Sequence, residues 1–278
     1  MKNPKIMYIL IILFCIFAIV AGVWAQITEG DDEVDIANRE QQNTIEEKTQ
    51  DELKSEFALL FTNTLNLGSF DTTGIAKINA EQNIVYEAIN LEENNDRYEM
   101  NLHIPVINVR SELSNQLNQT TQTIFINKAN EIIQDTDSTI KTIYSIDYVA
   151  FVNSDILSLV IRSTLKEGDS AQRIIVQTYN YNLTTNQEAT LVDLLTLKRL
   201  NRGEVNNKIL EVATAADEAD KALEAMGYNQ VYIRDLASDI YTVDNAGAYF
   251  LGPNGELYII YAYGNGEFTS KMDIVFFE

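Results

Sequence analysis

Apolar residues come first as one block, then as stripes, then as alternations, and each pattern predicts a different element. From Ile6 to Ala25 no side chain carries a charge. As a helix rising about 1.5 Å per residue, that block spans roughly 30 Å, the thickness of a bilayer's hydrocarbon core, with its backbone hydrogen bonds satisfied internally. Trp24 falls near the far interface, which aromatic side chains favour. Lys2 and Lys5 precede the block, and Asp31, Asp32, Glu33 and Asp35 follow it. Because positive charge stays inside, the reading is a cytoplasmic tail at 1–5, a single-pass transmembrane signal-anchor at 6–25 and an extracytoplasmic remainder. A cleaved secretory leader is the alternative, with Val23 and Ala25 before a cut at Gln26, although the block exceeds the usual signal core of about 7 to 15 residues. Phe14 before Cys15 does not suit a lipid-anchor site.

Residues 26 to 43 are polar and acidic and read as a solvated spacer. Thr44 with Glu47 forms a capping-box pattern, and Ile45, Leu53, Phe57, Leu60, Phe61 and Leu65 then recur at helical spacing until Gly68. That stripe predicts a stalk helix, so 26–68 is assigned as spacer and stalk and 69–278 as the folded domain. Strands are expected at 73–79 and 83–91, then a charged turn from Glu92 to Asp96. Along Arg97 to Ile104, Tyr98, Met100, Leu102 and Ile104 alternate with polar residues, which predicts a strand with one buried face, ended by Pro105. Val109, Leu113, Leu117, Ile124, Phe125 and Ile132 mark an amphipathic helix over about 109–134, capped by Asn108.

Three β-rich runs follow, Ile140–Val152, Ile156–Leu165 and Ala171–Leu183, with breaks short enough for hairpins, which predicts an antiparallel meander. A short helical turn at 190–197 leads to a second long helix, where Val205, Ile209, Val212, Ala213, Ala216, Leu223 and Met226 repeat and Gly227 supplies the C-cap. Tyr249–Leu251, then Gly252-Pro253-Asn254-Gly255, then Leu257–Tyr263 reads as a hairpin. Met272–Phe277 adds a last strand. The elements come in blocks rather than in strict alternation. The fold class expected is therefore α+β: a mainly antiparallel sheet with two long helices packed on one face, preceded by the transmembrane helix and the stalk helix.

Composition narrows the chemistry. The chain carries 41 Asp+Glu against 20 Lys+Arg, a net charge of −21, and one His and one Cys. Such a surface disfavours nucleic acid and steers cationic proteins toward it, while also serving solubility. Cys15 lies in the apolar block, so no disulfide staples the domain; about 210 residues after the stalk suffice for a core of their own. A metal hydrolase needs clustered His, Asp or Cys, and a Ser or Cys hydrolase needs a base beside its nucleophile. His103 lies on the polar face of its strand and reads as a surface residue. The acid runs Asp31–Asp35 and Glu92–Asp96 lack the spaced pattern around a Gly that calcium loops use. Gly264-Asn265-Gly266 has no following helix and reads as a hairpin loop, not a phosphate cradle. Tyr258, Tyr261, Tyr263, Tyr179 and Tyr181 could form a carbohydrate or protein contact surface, but sheet packing accounts for them: Tyr261 and Tyr263 share one strand face and Tyr258 takes the other. No residue is assigned a catalytic, cofactor-binding or metal role.

The run Tyr179-Asn180-Tyr181-Asn182-Leu183-Thr184-Thr185-Asn186-Gln187, continuing Ala189-Thr190-Leu191-Val192-Asp193-Leu194-Leu195, resembles the strand, turn and "TL-x-DLL" segment of a bacterial extracytoplasmic domain family of unknown function. That family includes the lysozyme-sensing ectodomain of sigma-V-type anti-sigma factors and occurs beside peptidoglycan deacetylase domains. Ile104-Pro105-Val106-Ile107 before a long helix is similar to its entry segment, and the likeness covers about residues 97 to 278. Asn182 and Asn186 depart from the acidic and glycine residues common there, and Asn186 still accepts a left-handed turn. The resemblance implies the ectodomain alone. With Met1–Lys5 ahead of the span there is little to grip a sigma factor, and a chain with one His lacks a deacetylase's metal site. The matching positions are packing and turn residues, so no contact residue carries over.

The expectation from the sequence is a non-catalytic, membrane-anchored extracytoplasmic binding or sensor-like module without a cofactor, with a cationic protein such as lysozyme as candidate partner. A structural or assembly component of the envelope, contacting peptidoglycan or another membrane protein, is the alternative. A carboxylate-only glycan hydrolase ranks last, since it needs an acid pair about 5 to 9.5 Å apart in a cleft.

Overall fold

Three consecutive strands with strict alternation divide the interior into two sides. In the computed structural model, which describes residues 48–135, 139–228, 231–263 and 271–278, these are β4 (Thr142–Asn153), β5 (Ile156–Glu167) and β6 (Arg173–Asn182). They pair antiparallel without a register break, so the expected meander forms. On one face Tyr144, Ile146, Tyr148, Leu157, Leu159, Ile161, Tyr179 and Tyr181 enter one core. On the other, Val149, Phe151 and Val160 enter a second.

The large sheet runs β2 (Val85–Asn94), β3 (Tyr98–Ile107), β4, β5, β6 and the short β7 (Gln187–Glu188), with β1 (Thr64–Asn66) parallel beside the far part of β4. The β3–β4 pairing is parallel, because a helical crossover separates the two strands. That crossover is α2 (Glu112–Thr121), a π turn (Gln122–Ile126) and α3 (Asn127–Gln134) in tandem, where one long helix was expected. Its cap is Ser111, whose hydroxyl accepts the Ser114 N–H. Asn108, expected there, is instead 1% exposed: it donates to the Asn79 and Asn83 carbonyls and accepts the Asn79 N–H, clamping the preceding loop to the end of β3.

Three further local expectations are corrected. Residues 73–79 form turns, not a strand. Pro105 does not end β3; it pairs with Glu87 beside a bulge, past the stretch where β3 meets β4, so its missing N–H leaves no ladder bond broken. The helix expected to reach Gly68 is α1 (Gln50–Leu59), which begins at a capping box of Thr49 and Glu52. It stops because Asn63, at φ +56°, turns the chain and exchanges two hydrogen bonds with Tyr148, which starts β1. The expected span at 6–25, the spacer at 26–43, the Thr44–Glu47 cap and Gly264–Gly266 lie outside the described residues. Among those described, no helix is long and apolar enough to cross a membrane.

The C-terminal strands form a second sheet of three, β8 (Ala248–Leu251), β9 (Leu257–Ala262) and β10 (Met272–Phe277). The predicted Gly-Pro-Asn-Gly turn joins β8 to β9, with Gly255 at φ +81°. One face of this sheet packs Phe250, Tyr258, Ile260 and Ile274 against the large sheet, together with Leu53 and Phe57 of α1. The other packs Leu257, Ile259, Tyr261 and Val275 against α4 (Leu191–Lys198) and α5 (Arg202–Ala225). The helices therefore do not share one face of one sheet: the crossover helix covers the large sheet and α4 and α5 cover the small one, with the two sheets face to face between them. The Thr190-Leu191-Val192-Asp193-Leu194-Leu195 run is the start of α4, where Thr190 and Asp193 form a capping box and the three leucines are buried.

A three-stranded sheet leaves two edges, and side chains bond to both, along β8 and at Ile274 of β10. On β8 the Tyr249 N–H donates to Thr178 Oγ1 (3.1 Å) and the Leu251 N–H to Ser158 Oγ (3.1 Å). Asn180 Nδ2 donates to the Tyr249 carbonyl (2.7 Å) and Asn153 Nδ2 to the Gly252 carbonyl (3.0 Å). This strand therefore crosses β6, β5 and β4 in turn. On β10 the carboxamide of Gln50 does the work of a neighbouring strand, accepting the Ile274 N–H (3.0 Å) and donating to the Ile274 carbonyl (2.7 Å).

Replacing Gln50 with Ala leaves both groups of Ile274 without these partners. The expected loss in urea unfolding is about 1–3 kcal/mol with an unchanged m-value.

Candidate functional site

Helix α5 faces the small sheet through Val205, Ile209 and Ala213, and the same stripe continues with Asp217 and Asp220. Two carboxylates buried to 1% and 3% exposure require partners. Arg234, itself 5% exposed, supplies them from the loop that follows the helix. Its guanidinium grips Asp273 of β10 with two bonds, Nε to Oδ2 (2.7 Å) and Nη2 to Oδ1 (2.8 Å). Nη1 donates to Asp220 Oδ2 (2.8 Å) and to the Tyr232 carbonyl (3.1 Å), and the Arg234 backbone N–H donates to Asp217 Oδ1 (2.8 Å). Lys271 also pairs with Asp220, and Lys221 with Asp217.

The charges set one another's ionisation. Burial pushes Asp217 and Asp220 up, but their hydrogen bonds and ion pairs to Lys221, Lys271 and Arg234 outweigh it and hold both below the ordinary value of 3.8. Burial likewise lowers Arg234, and Asp273 and Asp220 more than restore it. Tyrosines extend the network: Tyr263 donates to Asp273 Oδ2 (2.9 Å), its oxygen lies 3.1 Å from that of Tyr241, and its ring stacks on Tyr232 with centroids 4.0 Å apart. Burial and the Asp273 carboxylate push the Tyr263 phenol up, and burial does the same for Tyr241 and Tyr261.

This rack forms one wall of a cleft of about 380 Å³. Tyr232, Tyr261 and Tyr263 line it with Ile240 of the loop, Ala248 and Ile260 of the small sheet, and Ile174–Val176 of β6. A second cleft of about 320 Å³ lies on the helix side of β6, lined by Ile124, Phe125, Lys128, Glu131, Tyr144 and Arg173. Ile175, 45% exposed, borders both.

Such a site offers apolar surface, phenol hydroxyls and neutralised charge. Neither Asp217 nor Asp220 has the raised pKa a general acid in glycoside cleavage needs. Among the described residues, no group of His, Cys, Asp and Glu is placed to hold a metal ion. His103 is on the outward face of β3 as read, but half-buried, with Nδ1 2.7 Å from Glu87 Oε2 on β2. Tyr258, Tyr179 and Tyr181 are core residues, and Tyr261 and Tyr263 share a face opposite Tyr258, as the alternation required. Glu92, Glu93 and Asp96 are exposed at the β2–β3 end; Asp31–Asp35 lies outside the described residues.

Asp217, Asp220, Arg234 and Asp273 were not singled out from sequence. The available signal was that the stripe Val205, Ile209, Ala213 continues onto two acids, whereas Leu223 and Met226, taken as its continuation, are 38% and 74% exposed.

No protein-family model matches the chain, and no curated protein matches it. Its structural neighbours include a DUF3298 family protein from Pseudomonas aeruginosa PAO1, 12% identical, covering 64% of this chain and 78% of that one with a TM-score of 0.34. A second is a DUF3298 family member from Bacteroides fragilis NCTC 9343, 12% identical, covering 64% and 79% with a TM-score of 0.36. Likeness at this level assigns neither a family nor a function.

Replacing Arg234 with Met strands buried carboxylates, and at about pH 7 the expected loss is about 3–5 kcal/mol. Because Asp217 and Asp220 are lowered in the fold, their stabilisation is present above 3.8 and disappears as pH falls through their folded values. The gap between wild type and variant in chemical unfolding should therefore persist down to about pH 4 and narrow only as the pH is lowered further, below 3.8.

Proposed function

We propose that the chain is a non-catalytic, membrane-anchored extracytoplasmic binding module whose partner is a cationic protein, with lysozyme as the leading candidate. One observation carries the reading: in a chain of net charge −21, the ionisable groups behind the larger cleft neutralise one another. Asp217 and Asp220 are held below the ordinary carboxylate value and Tyr241, Tyr261 and Tyr263 above the ordinary phenol value, so these groups are arranged to hold shape rather than to exchange protons near neutral pH.

The remaining acids give the surface its character. Glu204, Glu211, Glu218 and Glu224 are exposed along α5, and Glu92, Glu93, Asp96 and Glu99 at the end of the β2–β3 hairpin. A negative field of this kind raises the arrival rate of basic proteins and weakens with salt. The uncharged block at Ile6–Ala25 supports the anchor, and the resemblance of Tyr179–Gln187 and Thr190–Leu195 to a family containing a lysozyme-sensing ectodomain supports the ligand.

The test uses the full chain in detergent, titrated with lysozyme and with other basic proteins. Binding should be measurable at low ionic strength and weaken about tenfold or more between roughly 50 and roughly 300 mM salt. Absence of lysozyme binding at low salt would remove it as the ligand, and turnover of a cell-wall polymer by the pure chain would overturn the non-catalytic reading.

A further inference from the structure

The large sheet ends on β6, and that edge is unusual. Beyond Asn180, β7 covers it through Tyr181 and Asn182, and the Ala189 N–H donates to the Asn180 carbonyl. Asn180 therefore turns its backbone groups outward, and by the two-residue period of a strand Ile174 and Val176 do the same. Among the described residues, nothing pairs with those groups. The opposite edge, β2, is blunted as natural edges are, with a bulge after Glu87 and exposed Glu92 and Glu93. By contrast the run Ile174-Ile175-Val176 is regular in register and apolar, the kind of edge that recruits another strand.

The space beside this edge is also shaped for a strand. A strand placed there would send alternate side chains to opposite faces. The 380 Å³ cleft toward the small sheet lies on one face, the 320 Å³ cleft toward the crossover helix on the other, and Ile175 borders both.

We propose that the outer edge of β6 at Ile174–Val176 binds an extended segment of a cationic protein by strand addition, with its alternate side chains entering the two clefts. The backbone groups of Ile174 and Val176 supply the ladder, the cleft toward the small sheet, lined by Ile240, Ala248 and Ile260, selects apolar side chains at alternate positions, and the cleft toward the crossover helix, where Glu131 lies, takes the basic ones between them. Charge selects the occupant: a second copy would bring another −21 to the interface, and the chain's own segment from Glu29 to Glu47 is acidic, whereas a basic segment is attracted. This rests on the binding-module reading and gives it a place.

The probe is a short fluorescent peptide of alternating valine and lysine, added to the full chain in detergent. Binding should slow amide exchange at Ile174 and Val176. Val176→Pro removes one outward donor without touching the β5 ladder and should weaken the peptide roughly tenfold. Should that variant misfold, a proline-interrupted peptide on the wild-type chain replaces it, with the same weakening expected. Equal binding of the interrupted peptide, or protection confined to other strands, would overturn strand addition. If lysozyme still binds in that case, the broader reading stands; if lysozyme fails to bind the wild-type chain at low salt, lysozyme is removed as the partner whatever the peptide does.

Discussion

A three-stranded sheet cannot satisfy its own edges, and the way this one is closed organises the whole domain. Each outward peptide group of β8 and β10 that leaves water must find a partner or cost free energy on the order of a kilocalorie or more. Here the partners are side chains from other elements: Ser158, Thr178, Asn180 and Asn153 for β8, and Gln50 for β10. These bonds are directional, so they fix where the small sheet lies on the large one, which the apolar contacts of Phe151, Phe250 and Tyr258 alone would leave free to slide.

The Arg234 cluster closes the other end of the same problem. Residues 231–247, ahead of β8, have little regular structure, and an irregular stretch held against a core needs its polar groups tied down. Asp217 and Asp220 reach it from the helix and Asp273 from β10, so one guanidinium joins helix, loop and sheet. Each side of the small sheet is thus pinned by polar bonds inside a mainly apolar interior. The β6 edge, with outward groups at Ile174 and Val176 and no such closure among the described residues, stands out against that pattern.

Much of this was legible from periodicity. The strand alternation at 97–104, the β-branched and aromatic runs at 140–152 and 156–165, the Gly-Pro-Asn-Gly hairpin and the Gly227 C-cap all follow local rules, and each has its counterpart in the fold. The separation of the strands into two sheets was not legible, because it depends on side chains such as Gln50 meeting a strand that lies more than two hundred residues away in sequence. Asn63 and Asn108 were opaque for a related reason. Each is a carboxamide that could cap or turn locally, and tertiary partners decide which: Asn63 ends a helix the stripe would have extended, and Asn108 clamps a loop rather than capping a helix. The acids in the α5 stripe look like surface residues until Arg234 is brought beside them.

The most direct test of this account is residue-resolved amide exchange on the full chain without ligand. The edges bonded by side chains should protect the amides of Tyr249, Leu251 and Ile274, whereas Ile174 and Val176, paired with β5 in unbroken register, should exchange much faster. Equal protection of the two groups would contradict it, and so would rapid exchange at Tyr249, Leu251 and Ile274.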